Sequence, residues 1–344
     1  MNLSDEYIVE RMKQYNIQGL SVTAIDGGNQ RLSRQYGVVQ AGSHRKIKTD
    51  TLFNACSVSK FVTALTVLKL VEQGLLHLDQ PVNDKLIRWK IPSNNKKAVT
   101  LRHLLSHQAG IIDPKESFQT YESRFGVPTM PDILNGKTAY CSVPITVEVE
   151  PEHEFHYSDA GYCIIQLLIE DITRQTFERV VNNHVFTPLQ LQARYVTPTS
   201  LAYISDDLAR GHSKQGQATC FTETIYPYPA ASGLWASSIT LAKILQELLD
   251  ARLGKSTIGL SKKLAKEMLA PQFGKAWSGF GVFIEDSKAG KEIVTWGWGK
   301  GYQCMGFLHP EFNRAAVIMT NGELGVHQME GLIGEVYQCL TYEK

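Results

Sequence analysis

The stretch that decides the fold joins a short polar start to a long apolar run and reads Phe53-Asn54-Ala55-Cys56-Ser57-Val58-Ser59-Lys60-Phe61-Val62-Thr63-Ala64-Leu65-Thr66-Val67-Leu68-Lys69-Leu70-Val71. Its apolar residues cover most of the circumference of a helix over residues 57–73, and a helix that is apolar on nearly all sides is buried at the centre of a protein. Gly74 follows at the position where helices commonly end. The sequence therefore predicts a central helix that starts at Ser57.

Ser57 and Lys60 form a candidate catalytic pair at the start of this helix. They are three residues apart and so face the same side. A serine hydroxyl is a weak nucleophile until a base removes its proton, and burial favours the neutral amine of a lysine, which can act as that base. The Ser-x-x-Lys pattern also occurs at residues 43–46 and 93–96, in polar stretches without a hydrophobic period. The apolar helix therefore selects Ser57 and Lys60.

Composition limits the classes of function. A chain of 344 residues can bury a large core and is long enough for two lobes. The 35 Lys and Arg residues nearly balance the 34 Asp and Glu residues, with no long run of either sign. Nucleic acid binding needs a basic face that neutralises phosphates, so we expect no nucleic acid partner.

The N-terminal sequence and the cysteines indicate the cellular compartment of the protein. Residues 1–6 lack a basic-then-apolar signal pattern, and no stretch of about 18 apolar residues follows, so we expect no membrane segment and a cytoplasmic location. The six cysteines are scattered without a C-x-x-C pair, which indicates reduced thiols. Cys56, beside Ser57, is either a second nucleophile or a packed core thiol, and we favour the second reading.

Strand-like alternation occurs at both ends of the chain and helical patterns lie between. A hairpin is predicted over residues 19–39, and four strand-like runs lie between residues 280 and 320. This order predicts a discontinuous α/β lobe of residues 1–75 and 233–344 and an inserted, mainly helical lobe of residues 76–232 with long loops. The cleft between the lobes is the expected place for an active site.

Tyr157-Ser158-Asp159 is a candidate for the proton relay that a Ser–Lys site needs. It lies just before an apolar helix that Ser158 or Asp159 could cap. In an extended segment residues i and i+2 face the same way, so Tyr157 and Asp159 could both face Ser57. The alternative for Tyr157 is a half-buried core position.

A glycine-rich segment is the candidate for the strand edge that supplies an oxyanion N–H, and it reads Thr295-Trp296-Gly297-Trp298-Gly299-Lys300-Gly301-Tyr302. Glycines let a backbone approach a ligand closely. The aromatic residues of this segment either contact substrate or only pack in the core. His103 and His107 have the i, i+4 spacing of a metal pair, but the glutamate of a zinc protease is absent between them, so we expect no metal and structural or supporting roles instead.

The order of these motifs resembles that of a known family. Ser-x-x-Lys, then Tyr-x-Asn, then Lys- or His-x-Gly on a strand is the signature of class C β-lactamases, penicillin-binding D-alanyl peptidases and related serine esterases. Four further stretches are similar to the family in the expected order: Glu72-Gln73-Gly74-Leu75-Leu76-His77-Leu78-Asp79-Gln80-Pro81-Val82, Leu104-Leu105-Ser106-His107-Gln108-Ala109-Gly110, Pro229-Ala230-Ala231-Ser232-Gly233-Leu234-Trp235-Ala236-Ser237 and Met319-Thr320-Asn321-Gly322. The resemblance covers nearly the whole chain and is nearest, in motif pattern, to the esterase-type members.

The resemblance implies an α+β fold of the β-lactamase/transpeptidase type, with an antiparallel sheet flanked by helices. It also implies that Ser57 is the acylated nucleophile, Lys60 its base and Tyr157 the proton relay. The oxyanion hole would be the N–H of Ser57 and an N–H from the strand after Trp298. No metal or organic cofactor is implied.

Two departures from the family pattern concern substrate recognition. Asp159 replaces the usual asparagine, and a carboxylate near Lys60 favours the ammonium form, which works against Lys60 as base. Trp296 or Trp298, followed by Gly299, stands where the family has a lysine or histidine. An indole cannot bind the carboxylate of a β-lactam or a D-alanyl peptide, and Lys300 is a weak substitute because exposed lysines are common.

These departures favour a small ester or amide substrate over efficient turnover of β-lactam-like compounds. We therefore expect a serine hydrolase that acts through an acyl-enzyme on Ser57, with weak or no β-lactamase activity. One alternative is a non-catalytic relative that binds penicillin or peptides. Another is a D-alanyl-D-alanine carboxypeptidase.

Overall fold

Nine strands form two antiparallel sheets in the computed structural model of the chain, which describes residues 4–92, 97–197, 207–287 and 290–342. The Ser-x-x-Lys match at residues 93–96 lies outside these ranges. The strands are β1 (Gly19–Asp26), β2 (Asn29–Gly37), β3 (Phe53–Asn54), β4 (Ala193–Tyr195), β5 (Leu234–Ala236), β6 (Phe283–Ser287), β7 (Gly290–Gly299), β8 (Tyr302–His309) and β9 (Arg314–Thr320). The large sheet has the order β2-β1-β9-β8-β7-β6, and the small sheet has the order β3-β5-β4.

The helices come mainly from the middle of the chain. They are α1 (Asp5–Gln14), α2 (Ser59–Glu72), α3 (Leu101–Leu105), α4 (Met130–Leu134), α5 (Asp159–Thr173), α6 (Phe177–Val181), α7 (Pro229–Ser232), α8 (Ser238–Leu253), α9 (Lys262–Met268) and α10 (Leu332–Tyr342). Every residue of α2 from Ser59 to Leu70 is buried, so the predicted central helix is confirmed. It begins two residues later than predicted, because residues Cys56–Val58 form a separate 3₁₀ turn.

Helices pack against both faces of the large sheet. Along β9, Val317 and Met319 belong to the core that includes α2 and α8, whereas Ala316 and Ile318 belong to the core that includes α1 and α10. This period of two is the expected alternation of side chains across a sheet. The predicted hairpin is also confirmed: β1 and β2 pair around Gly27 and Gly28, whose φ angles of 57° and 84° suit a two-residue hairpin turn.

The first and last parts of the chain supply all six strands of the large sheet, and the residues between supply many of the helices. The small sheet links these parts, because β5 pairs with β3 next to Ser57 and with β4 from the middle of the chain. None of the helices within the described ranges is long and apolar enough to cross a membrane. The exact division into two lobes stays a prediction.

Candidate active site

Ser57 lies in the 3₁₀ turn that joins β3 to α2. The residue before it, Cys56, has a φ of 49°, a left-handed conformation that is uncommon for a residue with a side chain. Asn54 holds this turn, because its side-chain oxygen accepts a hydrogen bond from the Cys56 N–H (2.7 Å) and its amide donates to the carbonyl of Thr224 (2.7 Å). Burial raises the pKa of the Cys56 thiol, so this cysteine is an inert core residue and Ser57 is the nucleophile candidate of the turn.

Lys60 is buried, and hydrogen bonds occupy all three donor positions of its ammonium group. Nζ lies 3.4 Å from Oγ of Ser57, 2.5 Å from Oδ1 of Asp159 and 3.0 Å from the carbonyl oxygen of Ala231 in α7. Burial lowers the pKa of Lys60, but the charge and hydrogen bond of Asp159, with a contribution from Tyr157, raise it above its usual value. The resting site therefore holds Lys60 as an ammonium ion.

Tyr157 is held over Lys60 by His107. The two rings stack with centroids 4.4 Å apart, and Lys60 Nζ lies 4.8 Å from the centre of the Tyr157 ring. Nδ1 of His107 accepts a hydrogen bond from the Ser158 N–H (3.1 Å). Burial, and then the charge of Lys60, lower the pKa of His107 well below its usual value, so the imidazole is neutral. Tyr157 itself is 43% exposed, which places it at the cleft and not in the core.

Asp113 fixes the start of α5, and with it the position of Asp159. Its carboxylate accepts hydrogen bonds from the Ser158 hydroxyl (2.6 Å) and from the N–H groups of Asp159 (2.6 Å) and Ala160 (3.2 Å). Ser158 is the N-cap residue, and its hydroxyl accepts from the Gly161 N–H (3.0 Å). Burial, and then the charge of Asp159, raise the pKa of Asp113 to about 6. The carboxyl group of Asp113 therefore lies near that of Asp159, the one that contacts Lys60.

Strand β7 lies against the turn that carries Ser57. A Cβ atom at Gly297 would lie 2.4 Å from the carbonyl oxygen of Ala55, and one at Gly299 would lie 2.7 Å from Sγ of Cys56. Only glycine permits this approach. The side chains of Trp296 and Trp298 point to the opposite face of β7, away from the Ser57 turn. Trp296 packs edge-on against His327, with ring centroids 4.9 Å apart, and Trp298 is 45% exposed.

The structure brings most of the predicted site residues to one narrow cleft. Ser57, Lys60, Tyr157 and Trp296 line it together with His107, Gly281, Val282, Phe283 and Thr295. Asp159 does not line the cleft, but its carboxylate contacts Lys60, which does. Trp298 and Gly299 do not line the cleft. Lys300 does not line it either, because its ammonium pairs with Glu223 at 2.7 Å.

The contacts of His107 and the role of Asp113 were not evident from the sequence. The sequence predicts structural or supporting roles for His103 and His107 but not their partners: His107 lies beyond the end of α3 and contacts Tyr157 and Ser158, whereas His103 bonds to Glu152 (2.9 Å). Asp113 lies in a stretch with no pattern, and it acts on α5 from 46 residues away. A contact between segments so far apart leaves no signal in a single sequence.

A mixed α and antiparallel β structure with a Ser–Lys–Tyr cleft defines the β-lactamase/transpeptidase-like fold. Consistent with this, a penicillin-binding protein homologue from Pyrococcus abyssi superposes with a TM-score of 0.79 at 22% identity, over 97% of this chain and 76% of that one. EstCE1, described as a hydrolase with promiscuous acyltransferase activity, gives a TM-score of 0.72 at 18% identity, over 96% of each chain.

The chain belongs to the Beta-lactamase family, whose sequence profile matches residues 5–334. It is 26% identical to Protein flp of Staphylococcus aureus (strain MW2) over 219 residues, which are 62% of this chain and 41% of that protein. It is 28% identical to Penicillin-binding protein 4* of Bacillus subtilis (strain 168) over 168 residues, which are 49% of this chain and 36% of that protein. The matches thus span about two fifths of these relatives.

Proposed function

We propose that the protein is a serine hydrolase that cleaves small uncharged esters or amides through an acyl-enzyme on Ser57. The observation that carries this proposal is the bridge formed by Lys60, whose ammonium contacts both Oγ of Ser57 and the carboxylate of Asp159. Membership of the Beta-lactamase family supports the proposal, since the three motifs of that family meet in one cleft.

The bridge supports a specific route for the serine proton. Because Lys60 is already protonated, it passes one proton to Asp159 while it takes the proton of Ser57. Lys60 ends the step as an ammonium ion, Asp159 ends it as a carboxylic acid, and the serine oxygen attacks the carbonyl carbon of the substrate. Collapse of the tetrahedral intermediate expels the alcohol or amine, which receives the proton stored on Asp159 through Lys60, directly or by way of Tyr157, so that Asp159 is again a carboxylate. Water then cleaves the acyl-enzyme by the reverse sequence.

The charges of the cleft support an uncharged substrate. Among the described residues that line the cleft, Lys60 alone carries a formal charge, and Asp159 balances it. Lys300, the nearest substitute for the family's third-motif cation, is paired with Glu223. A substrate carboxylate would therefore lose its hydration without gaining a cation. Phe283 offers an apolar surface to an acyl group instead.

The test combines active-site labelling with kinetics on p-nitrophenyl acetate. We expect a fluorophosphonate probe to label Ser57, and Ser57→Ala to abolish labelling and lower kcat at least about a thousandfold. Ser43→Ala is the matched control, because Ser43 also precedes a lysine by three residues but is remote in sequence from the cleft. Labelling that survives Ser57→Ala would exclude Ser57 as the nucleophile.

One observation favours a second candidate, a penicillin- or peptide-binding relative without turnover. The ion pair that keeps Lys60 protonated also slows any step that needs a neutral amine. The two candidates differ in deacylation. A hydrolase shows a burst of p-nitrophenol followed by steady release, whereas a binder shows the burst alone and keeps the label.

A further inference from the structure

A group of aromatic side chains joins the Ser57 cleft to the protein surface. Phe283, the first residue of β6, lines the cleft. Its ring centroid lies 6.3 Å from that of Trp277, with the two rings nearly parallel, and 6.4 Å from that of Phe155. Phe155 meets Trp277 at a steep angle, with centroids 4.4 Å apart, and its centroid lies 5.6 Å from that of His107, which also lines the cleft. We call Phe155, Trp277 and Phe283 the aromatic shelf.

Two contacts fix the turn that carries Trp277. The N–H of Ile284 in β6 donates to the carbonyl oxygen of Trp277 (2.8 Å). Nζ of Lys275 donates to the carbonyl oxygen of His153 (3.4 Å), two residues before Phe155. The turn is thus joined to both of the other segments of the aromatic shelf, so the three rings keep a fixed arrangement.

The aromatic shelf is open to a ligand. Trp277 is 42% exposed, and Phe155 and Phe283 are half-buried. A group that covers exposed apolar surface removes it from water, which is favourable in proportion to the area. Contiguous apolar surface beside a reactive site is typical of ligand-binding sites. The shelf therefore offers binding energy outside the cleft itself.

The closed part of the cleft is too small for a whole substrate. Its volume is about 10 Å³, about the space that one water molecule needs. Apart from the reacting group, a substrate must therefore lie on the surface around the cleft. The aromatic shelf begins in the wall of the cleft, at Phe283, so a substrate chain can pass from the reacting carbonyl directly onto the shelf.

The shelf adjoins the side of the cleft that the large sheet forms. Phe283 in β6 pairs with Val294 in β7, the strand that packs against the Ser57 turn. The proposed proton donors for the leaving group, Lys60 and Tyr157, come instead from α2 and from the segment before α5. The leaving group must face these donors, so the acyl chain faces the sheet and the aromatic shelf.

We propose that the aromatic shelf binds the acyl group of the substrate, so that the protein prefers esters or amides of arylalkanoic acids, in which a short chain joins an aromatic ring to the carbonyl carbon. Aromatic rings that stack or meet edge-on gain an attraction beyond that of apolar area alone, which favours an aromatic group over an aliphatic one. Phe283 contacts the part of the acyl group near the cleft, and Trp277 contacts the distal ring. This inference rests on the proposed function, because it names the acyl group of the same reaction.

The test compares p-nitrophenyl esters, which share a leaving group and differ only in the acyl group. After division by the alkaline hydrolysis rate of each ester, we expect kcat/KM to be about tenfold or more higher for the 3-phenylpropionate than for the acetate. The 3-cyclohexylpropionate has a similar size without an aromatic face, and its kcat/KM should be about threefold lower than that of the 3-phenylpropionate.

Two variants locate the preference. Trp277→Ala should lower the ratio of kcat/KM for 3-phenylpropionate over acetate about fivefold. Phe312→Ala is the matched control: Phe312 is 48% exposed, lies in the turn between β8 and β9 and does not line the cleft, so the ratio should not change. The ratio for 2-phenylethyl acetate over ethyl acetate, with the ring on the leaving group, should be the same in Trp277→Ala and in the unmodified protein. Melting curves verify that both variants are folded.

The outcomes separate this inference from the proposed function. Turnover of the acetate without a preference for the 3-phenylpropionate, or a preference that Trp277→Ala leaves intact, would overturn the aromatic shelf and leave the hydrolase in place. Equal rates for the phenyl and cyclohexyl esters would overturn the aromatic preference. If neither ester is turned over, the hydrolase proposal fails, and calorimetry with the unreactive ketone 4-phenylbutan-2-one decides the shelf. The ketone should bind about fivefold more weakly to Trp277→Ala, and equal affinity would overturn the inference.

Discussion

At the scale of single residues, Asp159 is the departure from the family pattern with the largest consequence. Its carboxylate lies 2.5 Å from Lys60 Nζ and turns a potential base into an ammonium ion. Such a pair can work by two mechanisms: proton relay through Lys60 to Asp159, as proposed above, or reaction through a minor neutral form of Lys60. These mechanisms differ in the pH at which activity appears.

Replacement of Asp159 by asparagine separates the two mechanisms. Without the carboxylate, burial is the main influence left on Lys60 and its pKa falls. The relay, however, loses its proton acceptor, so we expect kcat/KM of Asp159→Asn at neutral pH to fall roughly a hundredfold. The remaining activity should need neutral Lys60 and should therefore rise toward alkaline pH. The measurement is a pH profile of kcat/KM for both proteins.

The opposite outcome has a clear meaning. If Lys60 reacts as the neutral amine in the unmodified protein, Asp159→Asn makes that form more abundant, and the rising limb of the profile moves to lower pH with a gain in activity. That result would contradict the relay. Lys60→Met serves as the control for background hydrolysis, because it keeps a buried linear side chain without an amine.

The sequence predicted that Ser57, Lys60 and Tyr157 lie together, from the apolar helix that follows Ser57, from one extended segment and from the order of the family motifs, and the three residues line one cleft. It was sufficient to flag Asp159 but not to show where its carboxylate points. His107 and Asp113 act across the fold on α5 and on the segment that precedes it. Their contacts depend on tertiary packing, which a single sequence does not encode in a readable pattern.

At the scale of elements, the close packing of β7 against the Ser57 turn should determine the geometry of the proposed catalytic site. Gly297→Ala would place a methyl group 2.4 Å from the Ala55 carbonyl oxygen, so strand or turn must move. We expect kcat/KM to fall roughly a hundredfold, since small displacements of reacting groups are costly. Gly161→Ala in α5 is the matched control: its nearest neighbour would be 3.6 Å away, and helix propensity predicts a slight gain in stability. Equal activity of the two variants would contradict this role of β7.

The start of α5 provides another element-scale prediction. Asp113→Ala removes the acceptor for the Ser158 hydroxyl and for two backbone N–H groups, so we expect a loss of about 2 kcal/mol in unfolding free energy. Activity should fall as well, because Tyr157 and Asp159 flank the same N-cap. Denaturant unfolding measures the loss of unfolding free energy, and turnover of p-nitrophenyl acetate measures the loss of activity. Asp132→Ala, at the exposed start of α4, is the control, and an equal loss there would argue against a special role of Asp113.

The strands and helices differ in how well they can be predicted from the sequence. The hairpin and the four C-terminal strands were predicted from the alternation of apolar and polar residues, and α2 was predicted from a run that is apolar on nearly all sides. The strands β3, β4 and β5 were not, since each is only two or three residues long and too short for alternation to be visible. They matter nevertheless, because β3 leads directly into the Ser57 turn.

At the scale of the whole molecule, buried titratable groups determine how stability depends on pH. Burial lowers the pKa of five histidines: His103, His107, His184, His212 and His309. Below about pH 6.5 the unfolded chain binds protons at these positions that the folded protein does not, so stability falls as pH falls. Asp113, Glu285 and Glu292 act in the opposite direction, because burial raises their pKa values, to about 6 for Asp113 and about 7 for Glu292. Five histidines stand against three carboxyl groups, so acid should destabilise the protein.

His107 should be the largest single contributor to this acid sensitivity, because it is fully enclosed beside the Lys60 ammonium. A histidine that stays neutral in the folded state costs about 2 kcal/mol of stability between pH 6.5 and pH 5. His107→Asn places a neutral oxygen where Nδ1 accepts from the Ser158 N–H and cannot titrate. We therefore expect thermal unfolding of this variant to lose much less stability between these pH values than the unmodified protein. His77→Asn, at an exposed position, is the control, and an unchanged pH slope in His107→Asn would show that another group carries the effect.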